Sequence, residues 1–138
     1  MKKMINTSFV YLVLALVAGV FYREFTKFNG FTGKTALGVL HTHLFVLGVV
    51  FFLIFALLIK NSPKILENKG VNRFYLLYNI SLVLFSVMIL VRGIVETLKV
   101  NLSVAVNASI SGIAGISHLL LAISFIYFFV ILKKIATE

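Results

Sequence analysis

The sequence predicts an all-α integral membrane protein: four transmembrane helices in an up-down-up-down bundle, with both termini in the cytoplasm. Three observations lead there: an apolar composition, four long intervals free of charge, and basic residues gathered between those intervals. Of 138 residues, 61% are hydrophobic and 12% are charged, about half the charged share of an ordinary soluble domain. Mean hydropathy is +1.10. Such a chain has lipid as its solvent. Its length allows a single domain over residues 1–138.

The charge-free intervals run from Lys3 to Arg23, Lys34 to Lys60, Arg73 to Arg92 and Lys99 to Lys133. Each is long enough to cross a hydrocarbon core of about 30 Å at about 1.5 Å per residue. They predict helices over about 5–24, 36–59, 74–98 and 109–132. The first follows Lys2 and Lys3, as a signal peptide would. Ala15 and Ala18 make only a weak cleavage pattern, however, and the apolar run continues to Tyr22, so an uncleaved helix is expected. Gly30 and Gly33 break the chain after the first span, and Asn61-Ser62-Pro63 ends the second. Short connections of this kind make consecutive helices antiparallel neighbours.

Orientation comes from the cations. One side carries Lys2, Lys3, Lys60, Lys64, Lys69, Arg73, Lys133 and Lys134; the other carries Arg23, Lys27, Lys34, Arg92 and Lys99. The excess places both termini inside, as for a multi-pass protein of the bacterial cytoplasmic membrane. The net charge of +9 does not signal nucleic acid. Its residues form short clusters rather than a basic stripe interleaved with aromatics. No cysteine is present, which removes disulfides, iron–sulfur clusters and thiolate ligands. No phosphate loop, metalloprotease motif or nucleophile–base set appears, so hydrolysis is not indicated. The glycosylation sequons at Asn101 and Asn107 carry no meaning in a bacterial chain.

Ionisable groups inside a span are costly in lipid and mark function by default. All three histidines, His41, His43 and His118, fall within spans, roughly 8–14 Å below the outer surface. Arg92 lies at similar depth, and Glu96 follows it one turn nearer the outside. The inner half of the bundle has no such group. Two neutral imidazoles from different helices can hold a haem iron in a bundle. Arg92, with Arg23 or Lys27, could then meet the propionates. Zinc suits the pattern poorly, because three histidines and a carboxylate would have to converge from mismatched helix faces. Copper held by histidine and Met88 has no support in the pattern. The bland alternative is hydrogen bonding of the histidines to Ser, Thr or backbone carbonyls.

Helix periodicity leaves the partner of His118 open. His118 shares a face with Ser111, Ala114, Gly115, Ala122 and Phe125, and His41 shares one with Gly38, Phe45, Gly48 and Phe52. Both are stripes of small and aromatic residues, which favours His41 with His118. The likeness of the two halves favours His43 instead. Each half of the chain is a hairpin with Arg and Glu near the outer end of its first helix, and Thr42-His43-Leu44 matches Ser117-His118-Leu119. Residues i and i+2 lie about 200° apart on a helix, so His41 and His43 cannot easily serve one central iron. Tyr78, Ser81, Phe85, Met88 and Arg92 on the third helix read as bundle packing, as do Tyr11, Ala15, Ala18 and Tyr22 on the first. Arg92 and Glu96, spaced i,i+4, form either an interfacial pair or part of the site.

The stretch Leu40-His41-Thr42-His43-Leu44, followed by Gly48-Val49-Val50-Phe51, resembles one helix of the heme–copper oxidase main subunit. In that family a His-x-His pair ligates two different haems, one on each side of the helix. The resemblance covers about a dozen residues, and its glycine is one place out of register. Nothing in the chain matches that family's copper ligands or tyrosine cross-link, so oxygen reduction is not implied. Over most of its length the chain looks like short bacterial four-helix membrane proteins known only as a domain of unknown function, which supplies no activity.

The leading expectation is a membrane b-type haem protein. His118 and either His41 or His43 would be axial ligands, with Arg92 beside a propionate. Electron transfer with a quinone or another redox protein, or haem sensing and handling, would be its role, as a monomer or a homo-oligomer. The competing class is a non-catalytic transporter or accessory subunit whose outer polar cluster binds a proton, a metal ion or a partner. Whether the chain is an enzyme stays open.

Overall fold

A computed structural model describes residues 1–137. Four helices among them are long and apolar enough to cross a membrane: α1 (Lys2–Phe28), α2 (Leu37–Asn61), α3 (Gly70–Thr97) and α4 (Val104–Ala136). Every one of them begins or ends beyond the interval that hydropathy alone would assign. Lys, Arg and Glu are good helix formers, so a charge marks where the hydrocarbon stops rather than where the helix stops. α4 starts early because the Ser103 side chain accepts the backbone N–H of Val106, an N-terminal cap. At the far end of α1, Gly30 adopts φ +58. There the N–H of Phe31 bonds back to the carbonyl of Thr26 and that of Gly30 to Lys27, a glycine-closed helix end.

Consecutive helices are antiparallel. Tyr22 lies over Gly38 and Tyr11 over Gly48 between α1 and α2. Tyr78 meets Leu47 between α3 and α2. Phe74 stacks on Phe128 between α3 and α4, with ring centroids 4.7 Å apart. Both termini therefore share one end of the bundle, termed the terminal end; the other is the distal end.

The terminal half is closed by aromatic rings. Phe51 and Phe55 of α2, Phe74 and Tyr78 of α3, and Phe125 and Phe128 of α4 pack in stacked and edge-to-face pairs. Lipid is as apolar as these side chains, so what holds them together is close packing and ring geometry rather than removal from water. Tyr11 also donates to the side-chain carbonyl of Asn79 at 2.9 Å, and the hydroxyls of Thr7 and Tyr75 share a hydrogen bond of 2.7 Å, tying α1 to α3.

α2 is not uniform. Residues Leu44–Val50 form a π-helical segment, ending with the N–H of Phe51 on the carbonyl of Val46. Such a segment weakens the regular ladder and needs outside partners for its carbonyls in lipid. The hydroxyl of Tyr78 donates to the Leu47 carbonyl at 2.8 Å, and that of Ser8 donates to Val49 at 3.1 Å. Gly48 gives Tyr11 the room to lie against this stretch, since a Cβ there would come within 2.5 Å of Tyr11. A Tyr78→Phe variant should lose about 1 kcal/mol of stability, measured by detergent-induced unfolding. An unchanged unfolding midpoint would show that the π segment needs no help from α3.

Candidate functional site

The distal half is looser than the terminal half. The first dozen residues of α4 are almost all exposed, and a Cβ at Gly112 or Gly115 would meet nothing within 4 Å. What links α2 to α4 at this level is Phe85 of α3, buried to 3% exposure. The ring of His118 stands edge-on to Phe85 with centroids 4.4 Å apart, and that of His43 lies 5.3 Å from the same ring, tilted by 58°. The separation of the two imidazoles is thus bounded by the sum of those distances. His43 is half-buried and His118 exposed toward the flank that α4 leaves open.

Both rings are held in the same way. Nδ1 of His43 lies 2.7 Å from the carbonyl of Val39, and Nδ1 of His118 lies 3.0 Å from that of Ala114, one turn earlier in each helix. A carbonyl only accepts, so each Nδ1 donates, and Nε2 is the ring nitrogen that this bond leaves over. This is how a ligating histidine is usually oriented. It also satisfies the rings without any ligand.

His41 is elsewhere. Its side chain packs against Gly19 of α1, and its Nδ1 is buried with no hydrogen-bond partner. The stripe of Gly38, His41, Gly48 and Phe52 does mediate a close approach, but of helix α1: Tyr22 covers Gly38, Tyr11 covers Gly48, and Phe52 stacks on Tyr11 at 5.8 Å. The stripe of small residues thus faces α1, whereas His43 and His118, the pair of the hairpin match, are the two that the fold brings to one ring.

Arg92 lies two turns beyond Phe85 on α3, about 10 Å along the helix. It donates to the Asn107 side-chain oxygen at 2.7 Å and to the Ser111 hydroxyl at 2.6 Å, bridging α3 to α4. Among the described residues no carboxylate comes within 4 Å of it, and the ion pair found there joins Arg23 and Glu24 at 3.7 Å. Arg92 and Glu96 do not pair. Glu96 instead accepts the backbone N–H of Ala36 at 2.7 Å, placing a carboxylate on the first turn of α2. Thr35 adds a second tie, donating to the Gly93 carbonyl at 2.9 Å. Unpaired N–H groups at a helix start favour such an anion. Glu96→Ala should therefore cost about 1 kcal/mol, read as a lowered unfolding midpoint in detergent; an unchanged midpoint would mean that the carboxylate does not act as a cap.

Among the described residues, no three or more His, Asp or Glu side chains converge as they would for a metal held by protein alone. A two-ligand arrangement is what His43 and His118 offer. Phe85 reads as packing in the sequence, and it is packing, but it also gathers the two histidines. The clue in the sequence is its depth, level with both on the facing side of the bundle. A separate apolar groove of about 470 Å³ opens between α1 and α3 on the other flank of α2, with Leu14, Val17, Leu40, Leu44, Val87 and Leu90 among its walls.

The model of a family described as "Protein of unknown function (DUF2871)" matches residues 1–135. The chain belongs to that family. The family description names no activity, so any function for its members has to be argued from the side chains. No curated protein and no solved structure matches the chain. The four apolar spans make this family member a multi-pass membrane protein.

Proposed function

We propose that the chain is a small b-type haem protein of the bacterial cytoplasmic membrane, with both termini in the cytoplasm and the haem in the outer half of the bundle. One observation carries the reading. Two histidines from different helices, His43 and His118, pack on one phenyl ring with their Nδ1 atoms bonded to carbonyls and their Nε2 atoms left over. A haem between them would supply reversible one-electron chemistry. His43 and His118 would hold it from α2 and α4. Arg92, about 10 Å further out along α3 and held only by neutral partners, would meet a propionate. Phe85 is in contact with both imidazoles, so its side chain would have to turn aside for a macrocycle held by the two. The open flank at Gly112 and Gly115 gives a flat ring a way in from the membrane. Electron exchange with a quinone or another redox protein, or transfer of the haem itself, follows from such a site.

The test is colour. Protein purified from haem-replete cells should show a Soret band that shifts on reduction. Colourless protein from such cells overturns the reading.

A second reading has its own support. The Nδ1 bonds to Val39 and Ala114 already satisfy the two rings, which suits a non-catalytic transporter or accessory subunit with a proton or metal ion at the histidine pair. Colourless protein whose histidines titrate together would favour it.

A further inference from the structure

Away from the histidines, the terminal end holds a second concave site. A polar pocket of about 480 Å³ is walled by Lys64, Glu67, Asn68, Lys69, Lys134 and Ile135. Two distant stretches of chain build it: the turn between α2 and α3, and the last turns of α4. The turn is pinned rather than loose. Pro63 opens a 3-10 helix over Pro63–Glu67, Ile65 is buried to 3% exposure, and the Asn68 side chain accepts the N–H of Gly70 at 2.8 Å. Three lysines thus line one hollow, with Glu67 as the single carboxylate in its wall. Neither Glu67 nor any of these lysines forms an ion pair within 4 Å among the described residues.

A basic excess at this end is enough to orient the chain and by itself requires no ligand. The hollow is the additional feature. It lies at the last turns of α4, and its wall combines three lysines with the apolar side chain of Ile135. Such a mixed lining suits a phosphate joined to an acyl chain. We infer that this pocket binds the headgroup of an anionic phospholipid from the leaflet at the terminal end, with Lys64, Lys69 and Lys134 around its phosphate. The inference is independent of the haem reading.

The test uses the full chain, purified in neutral detergent, with lipid retention counted by native mass spectrometry. Phosphatidylglycerol and cardiolipin should remain bound where phosphatidylcholine is lost. The Lys64→Gln/Lys69→Gln/Lys134→Gln variant should retain them roughly tenfold less well. A Lys2→Gln/Lys60→Gln/Lys133→Gln variant, which loses the same charge at the same end, should retain them as the parent does. Circular dichroism of both variants verifies that they fold. Equal loss in the two variants would mean diffuse attraction and would overturn the site. So would the absence of any preference for anionic lipid. Thermal stabilisation by inorganic phosphate as large as that by cardiolipin would overturn the lipid assignment.

Discussion

His43→Ala and His118→Ala are each expected to lower the haem bound by purified protein roughly tenfold or more, whereas His41→Ala keeps it within about twofold. The asymmetry is the informative part. His43 and His118 meet on Phe85, but His41 lies against Gly19 on another side of α2. A site shared between α2 and α4 cannot use it without turning the helix about its axis. Such a turn would pull Gly48 from under Tyr11 and take the Leu47 carbonyl from Tyr78. Since His43 is half-buried and His118 exposed, neither substitution empties a packed core, so loss of colour reports ligation rather than unfolding. Pigment read by absorbance, with helix content by circular dichroism, separates the two. Haem lost in His41→Ala and kept in His43→Ala would put the site in the α1–α2 seam and exclude the pairing of His43 with His118.

The second large effect concerns folding. Gly93→Ala is expected to destabilise the bundle by about 3 kcal/mol, at the upper end of overpacking costs. A Cβ on Gly93 would come within 2.5 Å of the backbone nitrogen of Leu37 and 2.6 Å of its Cγ. That backbone cannot easily yield. The same turn of α2 is fastened to α3 by the Glu96 carboxylate on Ala36 and by the Thr35 hydroxyl on the Gly93 carbonyl. Moving α2 outward stretches both bonds at once. Gly112→Ala and Gly115→Ala are the matched controls. Nothing lies within 4 Å of either new methyl, and alanine is the better helix former by about 1 kcal/mol, so these variants should be neutral or slightly more stable. Unfolding midpoints in detergent measure all three. Equal stability of the Gly93 and Gly112 variants would mean that the start of α2 does not press on the backbone of α3 at Gly93.

The spans and their alternating direction were legible in the sequence because lipid leaves the backbone no alternative. With no water to bond to, an apolar stretch between charges has to close its own hydrogen bonds as a helix. Lys3, Arg23, Lys34, Lys60, Arg73, Arg92, Lys99 and Lys133 mark the intervals. The packing stripes of α1 and α3 were largely legible too: Tyr11, Ala15 and Ala18, and Tyr78, Ser81, Phe85 and Met88, are buried, while Tyr22 and Arg92 at their distal ends are half-buried. So was the placing of the three histidines, Arg92 and Glu96 in the distal half.

Tertiary structure alone decided which way α2 is turned. In water an apolar stripe points inward because the other face must be polar. In lipid both faces are apolar, and rotating a helix costs nothing in hydropathy. Which of His41 and His43 faces Phe85 therefore fell to contacts made from other helices: Tyr11 on Gly48, Tyr78 on the Leu47 carbonyl, and Phe85 against both His43 and His118. The same holds for Glu96, whose spacing from Arg92 suggested an ion pair but whose carboxylate meets the start of α2. Period and charge set where the chain crosses the membrane, while side-chain fit between helices set what faces what.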